Sequence, residues 1–209
     1  TLGKTSFEPG SATIAAQSIE TMDAISEILQ LCGEIKLEIQ GHTDSQGRTS
    51  MNLELSQERA DSVLAGLMAL TQASDDDWVL VHDAARPCLS HSALRAMLDA
   101  LADDPVGGIM AVPVADTLKQ SDGSGKIRAT VDRRQLWAAQ TPQMFRYGLL
   151  RNALKQALDK GQQVTDEASA MELAGHSPRL FPGSSRNIKI TQPEDLELAS
   201  LILEAQNDG

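Results

Sequence analysis

Two short motifs contain residue types that could do chemistry. In the first, Gly41-His42-Thr43-Asp44 is followed along the chain by Arg59. In the second, Asp83 and Arg86 follow the apolar segment 78–82. A carboxylate and a guanidinium brought together can bind a charged ligand through short, charge-assisted hydrogen bonds. Each residue also has a plain structural interpretation, because Asp44 or Asp83 could cap the turn or helix that follows it and Arg59 could form a surface ion pair.

The elements that must position these motifs alternate between strands and helices. Apolar and polar residues alternate over 35–40, which indicates a half-buried strand, whereas 78–82 is almost entirely apolar, as strands covered on both faces are. Helical periodicity places apolar residues on one face of 18–32 and 53–70. The alternation predicts an α/β fold with a mainly parallel sheet flanked by helices. The remaining predictions are strands at 5–14, 107–114, 178–182 and 187–191, a β-arm at 116–135, and helices at 91–102, 146–159, 166–174 and 194–205.

Composition excludes two classes of function. The chain has 209 residues and a formal net charge of -11, from 18 Lys and Arg against 29 Asp and Glu. Such a chain repels phosphate backbones, so we expect no nucleic-acid partner. Its longest apolar run, 63–70, is far shorter than the roughly 20 residues of a membrane-spanning helix, so we expect no membrane insertion. No basic-then-apolar leader opens the sequence, and no signal peptide is expected.

The first motif belongs to a longer pattern. Its residues, in order, are Gly41-His42-Thr43-Asp44, Gly47, Asn52, Leu55-Ser56 and Arg59-Ala60. Residues 5–68 thereby resemble the peptidoglycan-binding domain of outer-membrane protein A and its relatives. The resemblance implies an N-terminal βαβ unit in which Asp44 and Arg59 bind the diaminopimelate of a peptidoglycan stem peptide and Asn52 orders the loop. A zwitterionic ligand needs one anion and one guanidinium in this way. It also implies a periplasmic location for this part.

The second motif belongs to a pattern that covers residues 57–205. This region resembles the C-terminal two thirds of 2-C-methyl-D-erythritol 4-phosphate cytidylyltransferase, a cytoplasmic enzyme family of isoprenoid precursor biosynthesis with a Rossmann-like nucleotidyltransferase fold. The segments that match in order and spacing are 58–67, 81–87, 111–114, 116–117, 130–133, 136–137, 141–143, 164–170, 187–191 and 193–196.

This second resemblance implies a set of functional residues. Asp83 would be the catalytic residue beside the attacking phosphate, and it is the one position where the resemblance suggests a metal, Mg²⁺. The family's acceptor pocket corresponds to Arg86, Thr117, Arg133, Thr141, Thr165 and Lys189. Cations and hydroxyls of this kind suit a small phosphorylated substrate. The arm 116–135 would reach into the partner subunit of a homodimer. Taken singly, Arg133 could instead pair with Asp132, and Lys189 could face solvent.

One feature of the cytidylyltransferase pattern is missing. The family's Gly-rich loop with its catalytic Arg and Lys does not occur in residues 1–57, and such a loop supplies transition-state stabilisation. We therefore expect a recombined or engineered hybrid, in which a half-domain over 1–70 and a cytidylyltransferase-like part over 57–209 share the helix 53–70. This hybrid would lack efficient catalysis but keep the acceptor pocket. The alternatives are a peptidoglycan-binding module and an active cytidylyltransferase.

Overall fold

The described part of the protein contains a five-stranded sheet, a two-stranded arm and five helices. The computed structural model describes residues 36–40 and 49–207, with side chains from 59 to 206. The elements are β1 Lys36–Gln40, α1 Thr49–Ala69, β2 Trp78–Asp83, α2 His91–Leu101, β3 Gly107–Pro113, β4 Lys119–Ser121, β5 Ile127–Thr130, β6 Trp137–Arg146, α3 Tyr147–Asp159, α4 Glu167–Leu173, β7 Arg179–Pro182 and α5 Pro193–Asn207.

The main sheet is mixed rather than mainly parallel. Its strand order is β1-β2-β6-β3-β7. Strand β1 pairs parallel with β2, and β3 pairs parallel with β7, whereas β6 runs antiparallel to both of its neighbours. The predicted parallel sheet is therefore corrected at its centre. Strand β6 escaped prediction because its middle contains Gln140, Thr141, Pro142 and Gln143, which interrupt the apolar alternation that marks a strand.

Two hydrophobic layers cover the two faces of this sheet. In β2, Val79 and Val81 pack into a core with α1, α3 and α4, while Leu80 points into the other core, against α2. Successive residues of a strand point to opposite faces, so an apolar run such as β2 is what a strand covered on both sides requires. The largest fully buried side chains of these layers are Phe145, Leu67, Leu80, Met97, Leu101, Met110, Met144, Leu150, Leu154 and Met171.

Strand β6 departs from regular pairing where it approaches the end of β2. Ile109 of β3 pairs with Gln143, but Ala111 pairs with Ala139, so the stretch 140–142 lies opposite Met110 alone. An irregularity of this type redirects side chains that a regular ladder would alternate between faces. It allows Gln140 and Thr141 to contribute to the same region beside β2.

Most of the predicted elements are confirmed where the structure describes them. These are the strand at 35–40, the helix at 53–70, the later helices and the arm, whose strands β4 and β5 pair antiparallel. The predicted strand over 187–191 is wrong: this segment has no strand structure, and Ile190 N–H donates to the Ala85 carbonyl as it passes the loop after β2. The strand at 5–14 and the helix at 18–32 lie outside the described residues. The division into 1–70 and 57–209 stays a prediction.

Candidate active site

A small cavity lies at the carboxyl end of β2, where the chain leaves the sheet at Asp83. Its volume is about 150 Å³, below the roughly 300–1,000 Å³ of sites that enclose a drug-sized ligand. It can therefore enclose a phosphate group with part of the molecule attached to it. The lining residues are Arg59, Ala60, Asp83, Arg86, Ala139, Gln140, Thr141, Gln143, Leu154, Val164, Thr165, Asp166, Glu167 and Lys189.

An ion pair joins Asp83, at the end of β2, to Lys189, which lies in the segment before α5. Lys189 Nζ lies 2.6 Å from Asp83 Oδ2, and the Asp83 side chain is 4% exposed against 35% for Lys189. The other carboxylate oxygen accepts the Ala85 N–H at 3.2 Å. An ammonium group has three N–H donors, so the pair with Asp83 leaves Lys189 with donors for a ligand. The alternative in which Lys189 simply faces solvent is therefore excluded.

Backbone carbonyls orient the guanidinium of Arg86. Its Nη1 donates to the Asn187 carbonyl at 2.8 Å and its Nη2 to the Ala139 carbonyl at 3.5 Å. Burial lowers the pKa of Arg86 from its ordinary value, while the charge of Asp83 opposes that change. The group stays protonated because an arginine pKa begins far above neutrality. Neutral carbonyls fix the direction of the side chain without cancelling its positive charge.

Thr141 uses its hydroxyl to hold the start of the loop after β2. The Asp83 N–H donates to Thr141 Oγ1 at 2.9 Å, and the same oxygen lies 2.9 Å from His82 Nδ1. The Thr141 carbonyl accepts Asn187 Nδ2–H at 2.8 Å. Thr141 therefore belongs to the cavity wall, as predicted, but its polar atoms contact the protein itself.

Thr165 lies at the rim of the cavity, in front of the short helix α4. The helix begins with a capping box, in which Asp166 accepts the Ser169 N–H at 2.9 Å while Ser169 Oγ accepts the Asp166 N–H. Gln143 ties this helix to the sheet, donating to Asp166 Oδ2 at 3.0 Å and accepting the Ala168 N–H at 2.8 Å. Strand β6 thus determines where Thr165 stands.

Six polar residues of this region were not predicted as site residues: His82, Gln140, Gln143, Asp166, Glu167 and Asn187. Gln140 is buried and donates to the carbonyls of Ser184 and Asn187. A Cβ atom at Gly183 would lie too close to Gln140 Oε1, so a larger residue there would require the Gln140 side chain to move. A polar residue inside an otherwise buried strand is the sequence signal that could have found Gln140 and Gln143, because such a side chain must be hydrogen-bonded.

Two predicted pocket residues lie away from the cavity. Thr117 and Arg133 belong to the exposed arm region and are absent from the cavity lining. Arg133 Nη1 donates to the Val114 carbonyl at 3.4 Å, within the arm's own base. The alternative pairing of Arg133 with Asp132 is not seen, because Asp132 pairs with Arg134 at 2.6 Å.

Residues of the predicted peptidoglycan site fall in different places. Arg59, on α1, lines the cavity together with Asp83 and Lys189. Asp44 lies outside the described residues, and Asn52 lies in α1, where only the backbone is described. The cavity therefore contains the three cations Arg59, Arg86 and Lys189 and the carboxylates Asp83, Asp166 and Glu167.

Neither a metal cluster nor a membrane span is found in the described part of the chain. Within residues 59–206 no three His, Cys, Asp or Glu side chains are arranged to hold a metal ion. Among the helices that are described, none is long and apolar enough to cross a bilayer. Asp83 is the carboxylate at the strand end, and its two oxygens already accept from Ala85 and pair with Lys189.

A mixed α/β sheet with a cation-lined cavity at a strand's carboxyl end and a projecting β-arm is a nucleotidyltransferase-like architecture. The crystal structure described as 4-diphosphocytidyl-2C-methyl-D-erythritol synthase superposes with a TM-score of 0.69 at 37% identity, covering 86% of this chain and 87% of that one. The Thermus thermophilus 2-C-methyl-D-erythritol 4-phosphate cytidylyltransferase gives a TM-score of 0.61 at 36% identity, covering 69% of each chain.

Sequence comparison reaches the same family. The family model for 2-C-methyl-D-erythritol 4-phosphate cytidylyltransferase matches residues 8–205, so the chain belongs to this family. The Pseudomonas entomophila enzyme of that name is 61% identical over 142 residues, covering 67% of this chain and 60% of the relative. The Dechloromonas aromatica enzyme is 58% identical over 149 residues, covering 71% and 64%. The chain thus spans less than two thirds of the length of these relatives.

These findings correct the expectation of a hybrid protein. The family match begins at residue 8 and runs through the region that we compared with the outer-membrane protein A domain. No comparison supports that domain, a peptidoglycan ligand or a periplasmic part. The expected hybrid without efficient catalysis is therefore wrong, and the findings favour the alternative of a cytidylyltransferase. Strand β1 agrees with this, because it joins the same sheet as β2 in continuous register.

Proposed function

We propose that this protein transfers a cytidylyl group from CTP to 2-C-methyl-D-erythritol 4-phosphate. The observation that supports it most directly is the cavity at the end of β2, which has positive side chains from three distant parts of the chain, Arg59, Arg86 and Lys189. Family membership adds the substrates, since the matching relatives are cytidylyltransferases for this acceptor.

The proposed reaction is one displacement at phosphorus. An oxygen of the acceptor's phosphate attacks the α-phosphorus of CTP, a new P–O bond forms, and the bond between the α-phosphorus and the bridging oxygen breaks. Pyrophosphate leaves with the electrons of that bond. Negative charge accumulates on the phosphoryl oxygens, so catalysis depends on positioned cations rather than on a covalent intermediate with the enzyme.

In this proposal, the cations that line the cavity bind the acceptor's phosphate. Lys189 retains donors beyond its pair with Asp83, and the carbonyls of Asn187 and Ala139 aim Arg86. Lys189 and Arg86 would bind the acceptor's phosphate, with Arg59 as a third cation of the cavity lining. Thr165 at the rim would add a hydroxyl. Because Thr141 Oγ1 already accepts the Asp83 N–H, Thr141 would act chiefly by holding Asp83.

Asp83 is the residue that would contact a divalent cation in this reaction. Mg²⁺ is usually held by one or two carboxylates together with substrate phosphates, so a single carboxylate suits a metal that arrives with the nucleotide. Such an ion would neutralise charge on the phosphates. An ion that binds the Asp83 carboxylate would compete with Lys189 for its negative charge.

The arm would complete the cavity of a second subunit. Thr117 and Arg133 are exposed and remote from the cavity of their own chain, and exposed apolar side chains accompany them, among them Ile127 at 67% and Trp137 at 37%. A symmetric dimer would bury such arms in an isologous contact. Sedimentation equilibrium tests this proposal: we expect a dimer, and Ile127→Asp should shift the protein toward monomer. A wild-type monomer would contradict it.

Release of pyrophosphate tests the proposed reaction. We expect wild-type protein to release it only when CTP, the acceptor and Mg²⁺ are all present. Lys189→Met should lower kcat/KM by about 100-fold or more, the range found when one positioned donor is removed from an active site. Lys155→Met, in an exposed surface pair, is the matched control and should keep wild-type kinetics. Absence of acceptor-dependent release by the wild type would overturn the proposal.

A further inference from the structure

His82 lies between the two segments that carry most of the cavity's polar groups. It is the penultimate residue of β2, and its imidazole reaches both the loop after that strand and strand β6. Nε2 lies 3.0 Å from the Arg86 carbonyl oxygen, and Nδ1 lies 2.9 Å from Thr141 Oγ1. Neither contact was predicted from the sequence, and His82 has no role in the reaction proposed above.

The chemistry of the two partners assigns the proton on the ring. A carbonyl oxygen only accepts hydrogen bonds, so Nε2 must carry the hydrogen that it donates to Arg86. With that hydrogen on Nε2, Nδ1 is the ring atom that can accept the hydrogen of the Thr141 hydroxyl, whose oxygen already accepts the Asp83 N–H. The Thr141 hydroxyl must then donate its hydrogen to Nδ1.

With this assignment, the Thr141 hydroxyl links the His82 ring to the backbone of Asp83. Its hydrogen points to His82, and its oxygen accepts the Asp83 N–H at 2.9 Å. A tight turn follows, in which the Arg86 N–H donates to the Asp83 carbonyl at 2.8 Å. The turn 83–86 is thus held at its start through Thr141 and at its end by the His82 Nε2–H.

We infer that His82 is a positioning residue, which sets the placement of the Asp83 carboxylate and the Arg86 guanidinium for the acceptor's phosphate. The inference rests on the proposed function for the identity of that phosphate. It does not make His82 a catalytic residue, because both ring nitrogens are hydrogen-bonded to the protein. Small misplacements of groups that bind a reacting phosphate cost much of the rate, so losing either contact should be visible in the kinetics.

Two substitutions separate positioning from simple filling of space. His82→Leu retains an apolar side chain of similar bulk and loses both hydrogen bonds. His82→Asn places an amide oxygen near the position of Nδ1, where it can still accept the Thr141 hydroxyl. We expect His82→Leu to raise the KM for the acceptor about tenfold, as loss of a residue that orients a binding group commonly does. The KM for CTP should change less, and His82→Asn should recover most of the loss.

A merely structural role would give a different pattern. It would reduce the fraction of active enzyme, so kcat would fall while both KM values stayed constant. His91→Gln, an exposed histidine on α2, is the control and should match the wild type. An unchanged acceptor KM in a His82→Leu protein with wild-type thermal stability would overturn the inference, as would equal defects in the Leu and Asn variants.

A second measurement does not require turnover. The long-range ¹H–¹⁵N correlation spectrum of the imidazole rings distinguishes the two neutral tautomers and the imidazolium. We expect the His82 signal to show a protonated Nε2 and an unprotonated Nδ1 at neutral pH. A protonated Nδ1 would overturn the inference. If the wild type releases no pyrophosphate, the proposed function fails instead, and calorimetric binding of the acceptor by the same variants replaces KM as the readout.

Discussion

The cavity at the end of β2 and the arm that leaves β3 are both polar, but they are stabilised differently. Around the cavity, Asp83, Gln140, Gln143 and Asn187 are buried, and each has hydrogen-bond or ionic partners from distant parts of the chain. In the arm, every residue from 115 to 139 is exposed. The arm's contacts are local, such as Lys119 with Thr130 and Arg134 with Asp132.

The cavity is formed by contacts between distant parts of one chain, whereas, among the described residues, the arm makes only local contacts. Buried polar groups are costly unless paired. Asp83 and Gln143 find partners within the chain, whereas Gln140 Oε1, Asn187 Oδ1 and Arg86 Nε are buried without one in the described part of the chain. An isolated hairpin is only marginally stable in water, because its own contacts contribute little. In the proposed dimer the arm would lie against the other subunit, where Thr117 and Arg133 would join that subunit's cavity.

The largest effect on stability is expected from breaking the cavity's ion pair on its exposed side. Lys189→Met removes the ammonium group that pairs with the Asp83 carboxylate, which is 4% exposed. Removing one partner of a buried pair costs about 3 kcal/mol, and the partial exposure of Lys189 places this case toward the lower end. The free energy of unfolding in urea measures it. Lys155→Met, whose pair is about two-thirds exposed, should cost less than about 0.5 kcal/mol.

Asp83→Asn removes the other charge of the same ion pair. It removes the buried charge and leaves an ammonium that still reaches solvent, so the expected loss of stability is smaller than for Lys189→Met. Equal losses in the two variants would show that the exposure of the two partners does not decide the cost.

The next largest effect on stability is expected from the contact between Gln143 and Asp166, which fixes the start of α4 next to Thr165. Gln143→Glu replaces the Nε2–H that donates to Asp166 Oδ2 with a second carboxylate oxygen beside that acid. An unsatisfied buried group costs about 1–3 kcal/mol, and like charge adds to it. We expect about 2 kcal/mol in urea unfolding and faster amide exchange in α4. Unchanged exchange in α4 would mean that the capping box alone holds the helix.

A pH-dependent effect should follow from His82. Its pKa is lowered in the folded protein, chiefly by burial and also by the charge of Arg86, although Asp83 raises it. The unfolded chain then binds more protons than the folded one below about pH 6.5, so stability is complete above that pH and falls as the pH drops toward the folded pKa. Urea unfolding at a series of mildly acidic pH values measures this slope.

The variants assign the slope to one side chain. His82→Asn should flatten it, whereas His91→Gln should leave it as in the wild type. The arm's carboxylates do not interfere, because the pKa values of Asp122 and Asp132 are lowered from 3.8 and their loss of stability falls at more acidic pH. A slope that persists in His82→Asn would contradict the assignment.

The smallest effect is expected in the arm. Arg134 makes a bidentate contact with Asp132 at 2.6–3.1 Å, but both side chains are well exposed, at 87% and 60%. Arg134→Ala should leave the free energy of unfolding unchanged within the error of the measurement, because an exposed ion pair contributes little. A larger loss that grows with protein concentration would show that the pair is buried between subunits, which would sharpen the contrast with the cavity.

Much of the fold was predictable because its signals are local. The apolar run of β2, the alternation over 35–40 and the helical periodicity of α1 and α3 depend on neighbouring residues, and these elements are where the pattern places them. The arm was predictable for the same reason, from its turn-rich, alternating sequence. Strand β6 was not, because polar residues that serve the cavity hide its periodicity.

The sequence by itself determined most of the element types, the family pattern and five cavity residues: Asp83, Arg86, Thr141, Thr165 and Lys189. Only the tertiary structure decided that Arg59 belongs with them, that β6 runs antiparallel through the sheet, and that Gln143 and His82 hold the loops in place. The physical reason is sequence distance. The Asp83–Lys189 pair and the Thr141–His82 contact join residues far apart in the chain, and such pairings arise only when the sheet brings its strand ends together.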